Sequence, residues 1–178
     1  MAPVRTIAVI GAGISGRTIA SAAALGGFHT ILEDILPATL RKAEAEIQGN
    51  LNQPALARIE YASTLEEAAR QADLVIEAVP DELESKLEIF ILLDKICRPH
   101  TILALTSCTI TVSDVASVTY RPQKCIGMRF SIQQHGGMRL ELVRGEDTDE
   151  ATLHACMEVG ERMNGKLIVT CETKPQRS

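Results

Sequence analysis

The chain has 178 residues, a net charge of −5 and 46% hydrophobic residues, with aromatics making up only 3%. That length suits one domain able to bury roughly 70% of its unfolded surface, around a core built mostly of Ala, Val, Ile and Leu. The acidic balance argues against nucleic acid or an anionic membrane as partner, and no apolar run reaches the ~18 residues of a membrane span.

In chain order, "TIAVI" at residues 6–10 opens as a short, continuous apolar run, the pattern of a strand covered on both faces of a parallel sheet. It leads into "GAGISG" and then the Ala-rich helical stretch "RTIASAAAL". Residues 30–32, 74–79 and 102–105 are further runs of the same kind. Between them lie helical patterns. Pro37 can open a helix carrying Leu40, Ala43 and Ile47, since its missing N–H is not needed in a first turn. Ser63 with Glu66 reads as a capping box. After Pro80, an amphipathic run sets Leu83, Leu87, Phe90 and Ile91 on one side. Residues 126–145 read as two short strands around a Gly-Gly turn. Within them "MRLELV" alternates, which predicts a half-exposed strand near a sheet edge. Asp147 with Glu150 predicts another capped helix, with Leu153, Cys156, Gly160 and Met163 on one face and Gly165 as its stop before a strand at 167–171. Strand–helix alternation of this kind predicts an α/β fold of the Rossmann type: a doubly wound, mostly parallel sheet with helices on both faces. The expected domain covers residues 1–171, with a tail at 172–178.

The spacing Gly11-x-Gly13-x-x-Gly16 between a strand and a helix carries a mechanism. Gly11 makes the tight turn, Gly13 lets the backbone approach a pyrophosphate, and Gly16 lets helix and strand pack closely. The free amides of the helix start, at Ile14, Ser15 and Gly16, would face the phosphates. Asp34 follows Gly11 by 23 residues and ends the second strand, placed to accept from the adenosine ribose hydroxyls. An acid there repels a 2′-phosphate, so NAD is expected over NADP. Glu33 competes for the ribose role, but one residue back in a strand it points to the opposite face.

These motifs, with "DLVIEAVPDELESK" at residues 73–86, resemble the NAD-binding domain of the 3-hydroxyacyl-CoA dehydrogenases, from about residue 4 to residue 171. The resemblance implies an oxidoreductase of fatty-acid metabolism using NAD and an acyl-CoA thioester. It places Gly11, Gly13, Gly16 and Asp34 at the adenosine half, Asp81 near the nicotinamide ribose, and Lys86 at the cofactor. Read alone, Asp81 and Lys86 would be a solvated first-turn acid and an exposed helix lysine.

The family's chemical centre combines a serine of an Asn-Thr-Ser-Ser motif, a histidine that takes the hydroxyl proton, and a glutamate twelve residues on. This chain departs from each. "GMRF" puts Arg129 at the histidine position, while Glu141 keeps the twelve-residue spacing. "TSCTI" leaves Thr106 for the asparagine and Cys108 for the serine. Arginine stays protonated and only donates, so it cannot act as the base, and the expected arrangement is an ion pair between Arg129 and Glu141 on neighbouring strands. His135, in the Gly-flanked turn, is the nearby imidazole, read as solvated. His29, His100 and His154 read as surface residues. Cys108 reads as a small buried cysteine, with a reactive thiol as the alternative.

The five cysteines are odd in number and show no Cys-x-x-Cys or zinc spacing, so no metal site is assigned. They read as reduced, mostly buried thiols of a cytoplasmic protein. The apolar N-terminus runs straight into the glycine motif, unlike a signal peptide. The family continues into an all-helical domain that closes the acyl-CoA site, so a homo-oligomer or partner chain is expected to supply it. Three readings stay open: an NAD-binding protein with impaired activity alone, a dehydrogenase completed by another chain, and a non-catalytic regulatory or structural module.

Overall fold

A computed structural model describes residues 3–132, 138–163 and 165–172. His135 and the Gly-Gly turn beside it lie outside the described residues, as does the tail at 173–178. The first half alternates β1 (Thr6–Ile10), α1 (Ile14–Leu25), β2 (His29–Glu33), α2 (Pro37–Asn50), the short α3 (Gln53–Leu56), β3 (Ile59–Ala62), α4 (Leu65–Ala69) and β4 (Leu74–Glu77). The second half runs α5 (Leu83–Ile96), β5 (Ile102–Leu105), α6 (Val112–Ala116), β6 (Cys125–Ile132), β7 (Met138–Arg144), α7 (Glu150–Arg162) and β8 (Gly165–Cys171).

One eight-stranded sheet orders these strands β3-β2-β1-β4-β5-β6-β7-β8. The first six are parallel, β7 pairs antiparallel with β6, and β8 pairs parallel with β7. The order turns back at β1 and β4, where ligands of open α/β sheets bind beyond the strands' carboxyl ends.

Strand alternation divides the core in two. Ile7, Val9 and Leu32 pack with α1, α2 and α7, while Ala8, Ile10 and Ile31 pack with α4, α5 and α6. Both faces are covered, which is why β1, β4 and β5 are apolar at nearly every position. The alternation in β7 buries Leu140 and Leu142 under α7, and β7 lies one strand in from the β8 edge.

Several helix boundaries differ from the expected ones, because Ser, Thr and Asp repeat within a few residues and only local geometry selects the cap. Thr64, not Ser63, caps α4, accepting from the Glu67 amide at 3.2 Å. Asp149, not Asp147, caps α7, accepting from Thr152 N at 2.7 Å. Gly165 does not stop α7 but begins β8, after a cap at Met163. The face of α5 is also shifted: Lys86, Phe90 and Leu93 are buried, whereas Leu83 is exposed. Three elements had no clear apolar signal, namely α3, the edge strand β3 and α6. The Thr111–Asp114 capping box that starts α6 is visible in "TVSD" all the same. Glu172, just past β8, is tied in by accepting from Ser113 Oγ at 2.6 Å and by its amide on the Arg144 carbonyl at 2.9 Å.

Gly160 allows α7 to lie close on the sheet, since a Cβ there would stand 2.8 Å from Leu140 Cδ2 and 3.0 Å from Leu167 Cδ1. Leu140 is the side chain at the centre of that contact, and it is fully buried. Leu140→Ala should therefore destabilise the domain by ~2–5 kcal/mol in urea unfolding. A cost under ~1 kcal/mol would mean α7 is not seated as described.

Candidate active site: a cleft and a paired arginine and glutamate

The glycine turn is held by sterics and by β2. Gly11 has φ +99°, a conformation that favours glycine, and its amide donates to the Glu33 carbonyl at 2.8 Å. A Cβ on Gly16 would lie 1.7 Å from the Gly11 carbonyl oxygen, so no larger residue fits. A Cβ on Gly13 would meet nothing within 4 Å, because the backbone there borders open space. Gly13 also caps α1 without a side-chain hydrogen bond. Asp34 closes the turn, accepting from Ala12 N through Oδ2 and from Leu36 N through Oδ1, each at 2.8 Å.

The turn borders a cleft of about 960 Å³. Gly11, Gly13, Ile14, Ser15, Glu33 and Asp34 line it on one side, with the starts of α4 and α5 opposite. Its charged lining residues are Glu33, Asp34 and Glu82, and no Lys, Arg or His lines it among the described residues. Open backbone at Gly13, uncapped amides at α1 and an acid at the end of β2 suit a pyrophosphate and a ribose diol. The absence of cations among those lining residues suits a dinucleotide without a 2′-phosphate.

Beyond β4 the chain builds a buried ion pair. Lys86 and Glu77 both have fully buried side chains, with Lys86 Nζ 2.7 and 2.8 Å from the two Glu77 oxygens and 3.0 Å from the Val79 carbonyl. Lys86 is thus the opposite of an exposed helix lysine. Burial pushes the Glu77 carboxyl up, and the Lys86 charge and hydrogen bonds offset only part of that. Asp81 lies 3.5 Å from Lys86 through Oδ1, and its Oδ2 accepts from Ser107 Oγ and Thr109 Oγ1 at 2.8 Å each. Burial works to raise the Asp81 carboxyl, but the Ser107 and Thr109 hydrogen bonds and then Lys86 outweigh it and hold it below its ordinary value. Asp81 is therefore an oriented anion beyond the cleft wall, rather than a loosely solvated acid.

Arg129 and Glu141 are directly paired in the β6–β7 register. Arg129 Nη1 lies 3.6 Å from Glu141 Oε2, and Arg129 Nε donates to the Ser107 carbonyl at 2.9 Å. Thr170 Oγ1 on β8 donates to the other Glu141 oxygen at 3.0 Å. The expected ion pair is present, and it joins the β5–α6 loop to β7 through a group that can only donate. Cys108 follows β5 but is exposed, contrary to the expected buried cysteine, because the tight turn of the loop points its neighbour Ser107 inward instead. Ser107 Oγ accepts from Thr109 N at 3.0 Å and Ile110 N at 2.8 Å, which fixes it against Asp81. His100 and His154 are exposed, and His29 pairs with Glu60 at 3.0 Å on the β2–β3 side.

Glu77, Ser107 and Thr170 escaped the reading of the sequence. Glu77 did leave a signal, as the one charge in the buried run "LVIEAV". Thr170 left none, since it reaches Glu141 from 29 residues away.

This fold and glycine turn define a dinucleotide-binding domain. The 3-hydroxyacyl-CoA dehydrogenase NAD binding domain model matches residues 6–174, and the chain belongs to that family, whose cofactor is NAD. It is 35% identical to the probable 3-hydroxybutyryl-CoA dehydrogenase of Bacillus subtilis (strain 168), across 97% of this chain and 64% of that protein. It is 34% identical to the 3-hydroxybutyryl-CoA dehydrogenase of Bradyrhizobium diazoefficiens, across 98% of this chain and 63% of that one. The crystal structure of (S)-3-hydroxybutyryl-CoA dehydrogenase from Ralstonia eutropha superimposes with a TM-score of 0.88 at 27% identity, covering 96% of this chain and 64% of that chain. The chain thus spans somewhat under two thirds of the length of these relatives.

Breaking the buried pair tests its role. Lys86→Met leaves Glu77 buried and uncompensated, which should cost ~3–5 kcal/mol in denaturant unfolding. Adding Glu77→Leu should recover most of that loss. Two single variants of near-wild-type stability would show that the pair is not buried as described.

Proposed function

We propose that the chain binds NAD(H) as the dinucleotide-binding part of a 3-hydroxyacyl-CoA oxidoreductase, and that by itself it is a poor catalyst because its base has been replaced. Bound NAD would supply the hydride acceptor for the carbinol carbon. The glycine turn and α1 would hold the pyrophosphate, and Asp34 would accept from the adenosine ribose. Asp81, oriented by Ser107, Thr109 and Lys86, is suited to the nicotinamide ribose. Lys86 then acts through Asp81 and Glu77 as a positioning residue.

The observation that carries the reading is the engagement of Arg129. A base must accept a proton from the substrate hydroxyl at hydrogen-bond reach. Arg129 instead presents N–H groups, one on the Ser107 carbonyl and another towards Glu141. Glu141 is likewise engaged, by Arg129 and Thr170, so it is not free to orient an imidazole. Cys108, exposed beyond β5, is the remaining side chain at the family's serine position, and we assign it no proton-transfer step. The substrate class proposed is an acyl-CoA thioester, after the relatives. The free thiols, with Cys97, Cys125 and Cys156 buried, support a reducing, cytoplasmic setting.

Cofactor choice is the first test. Like charges about 4 Å apart cost roughly 1–4 kcal/mol from bulk water to a protein surface, so NADH should bind about tenfold or more tightly than NADPH by fluorescence titration. Asp34→Ala should weaken NADH and narrow the difference. Equal or tighter NADPH binding would overturn the ribose assignment.

Turnover is the second test. Loss of an imidazole base should lower the rate by roughly 10²–10⁴-fold. Oxidation of 3-hydroxybutyryl-CoA with NAD should therefore be at or near background, both at neutral and at alkaline pH. Robust turnover abolished by His135→Ala would make that histidine the base. Robust turnover untouched by His135→Ala but abolished by Glu141→Gln would return the chemistry to this centre and refute the lost-base reading.

A further inference from the structure

One side chain in the cleft has no role in the account above. Glu33 ends β2, is 5% exposed and lines the cleft, its backbone fixed by the Gly11 amide. Unlike Asp34, its carboxyl has no hydrogen-bond partner among the described residues. Lining the cleft, that carboxyl can take its hydrogen bonds from a ligand held there.

Its position says which part of a ligand it would meet. Strand alternation puts Glu33 on the Ile31 side of the sheet, towards α4 and α5. With a pyrophosphate at α1 and a ribose at Asp34, the nucleobase extends past the end of β2. There Ser63, Thr64 and Leu65 line the same cleft, with Ile89 and Leu92 offering apolar surface to a flat ring. Adenine presents an exocyclic amine beside a ring-nitrogen acceptor, a donor–acceptor pair. A neutral carboxylic acid offers the matching acceptor and donor, whereas a carboxylate only accepts.

Building on the NAD reading, we infer that Glu33 reads the adenine base as a neutral acid, its O–H donating to a ring nitrogen and its carbonyl accepting from the amine, so that dinucleotide binding takes up a proton. The electrostatics agree. Burial, and then the Asp34 charge, push the Glu33 carboxyl up to about 7. The charge acting on it is that of Asp34 beside it, with Glu82 at the start of α5 and Glu67 on α4 also acidic, while Lys86 on α5 and Arg70 at the end of α4 are paired with Glu77 and Glu66. None would draw Glu33 back to the charged form. A base stacked over it removes more water and pushes in the same direction. Affinity is then highest below the free carboxyl's titration and falls as the pH rises through about 7.

The test is calorimetric titration with ADP-ribose, which carries the adenosine half alone, between about pH 6 and about pH 9, in two buffers of different ionisation enthalpy. NADH fluorescence is followed in parallel. The wild type should take up a fraction of a proton, with affinity falling about tenfold for each unit by which binding raises the carboxyl's pKa. Glu33→Gln keeps a donor and an acceptor but does not titrate. It should bind at the wild type's low-pH affinity, with no pH dependence and no proton uptake. Glu33→Leu should also be pH-independent but about tenfold weaker than Glu33→Gln, having lost the hydrogen bonds. Binding by the wild type that is blind to pH, a pH dependence that survives Glu33→Gln, or a Leu variant as tight as Gln would each overturn the inference while leaving NAD binding intact. If neither NADH nor ADP-ribose binds at any pH, the NAD reading itself falls, and this inference with it.

Discussion

The contact between Gly16 and the Gly11 carbonyl fixes how the first helix meets the first strand. At the distance the backbone takes there, a methyl group would overlap the oxygen, so the first helix can lie against the first strand only with glycine at residue 16. That approach sets the angle at which α1 leaves the turn, and hence where its uncapped amides point. The same turn is fastened to β2 by the Gly11 amide on Glu33 and the Ala12 amide on Asp34. The cleft edge and the start of α1 therefore share one steric origin. Asp34, the acid proposed for the ribose, is also a structural acceptor for the turn, so changes there act on the turn as well.

The far side of the cleft depends on charge rather than on sterics. Glu77 is the last residue of a strand buried on both faces, where an isolated carboxylate would be costly. Lys86 compensates it from the next helix, and by reaching the Val79 carbonyl and Asp81 it ties the strand end, the following turn and α5 together. Such a pair contributes little net stability compared with an apolar alternative, while its contacts join three segments. Asp81 is the surface outcome of that arrangement, with Ser107 and Thr109 completing its orientation from the neighbouring loop.

At the β6–β7 pair the sheet carries a guanidinium opposite a carboxylate. Register sets residues 129 and 141 opposite each other, so the guanidinium and the carboxylate face across neighbouring strands. The ion pair is partly exposed and its attraction is modest, but Arg129 also anchors the loop that carries Ser107, and Glu141 is shared with Thr170. Arg129 thus has structural partners, and a change at this position would release the Ser107 carbonyl as well as Glu141.

Much of this was legible in the sequence, because it is governed by short-range rules. Glycine spacing, continuous apolar runs and the alternation in "MRLELV" each follow from local sterics or from a two-residue period, and they lead to the parallel sheet, the turn and Asp34. The Arg129–Glu141 ion pair was legible through the family resemblance, whose histidine and glutamate positions these two residues occupy, and the antiparallel β6–β7 register sets them opposite each other. The tertiary structure decided what depends on contacts between distant segments: that Lys86 is buried on Glu77, that Ser107 rather than Cys108 turns inward, that Thr170 reaches Glu141, and that Glu33 faces a cleft instead of a packed core. Whether a charged side chain is solvated or compensated is set by the groups within a few ångströms of it, and the chain brings most of those groups from elements tens of residues away.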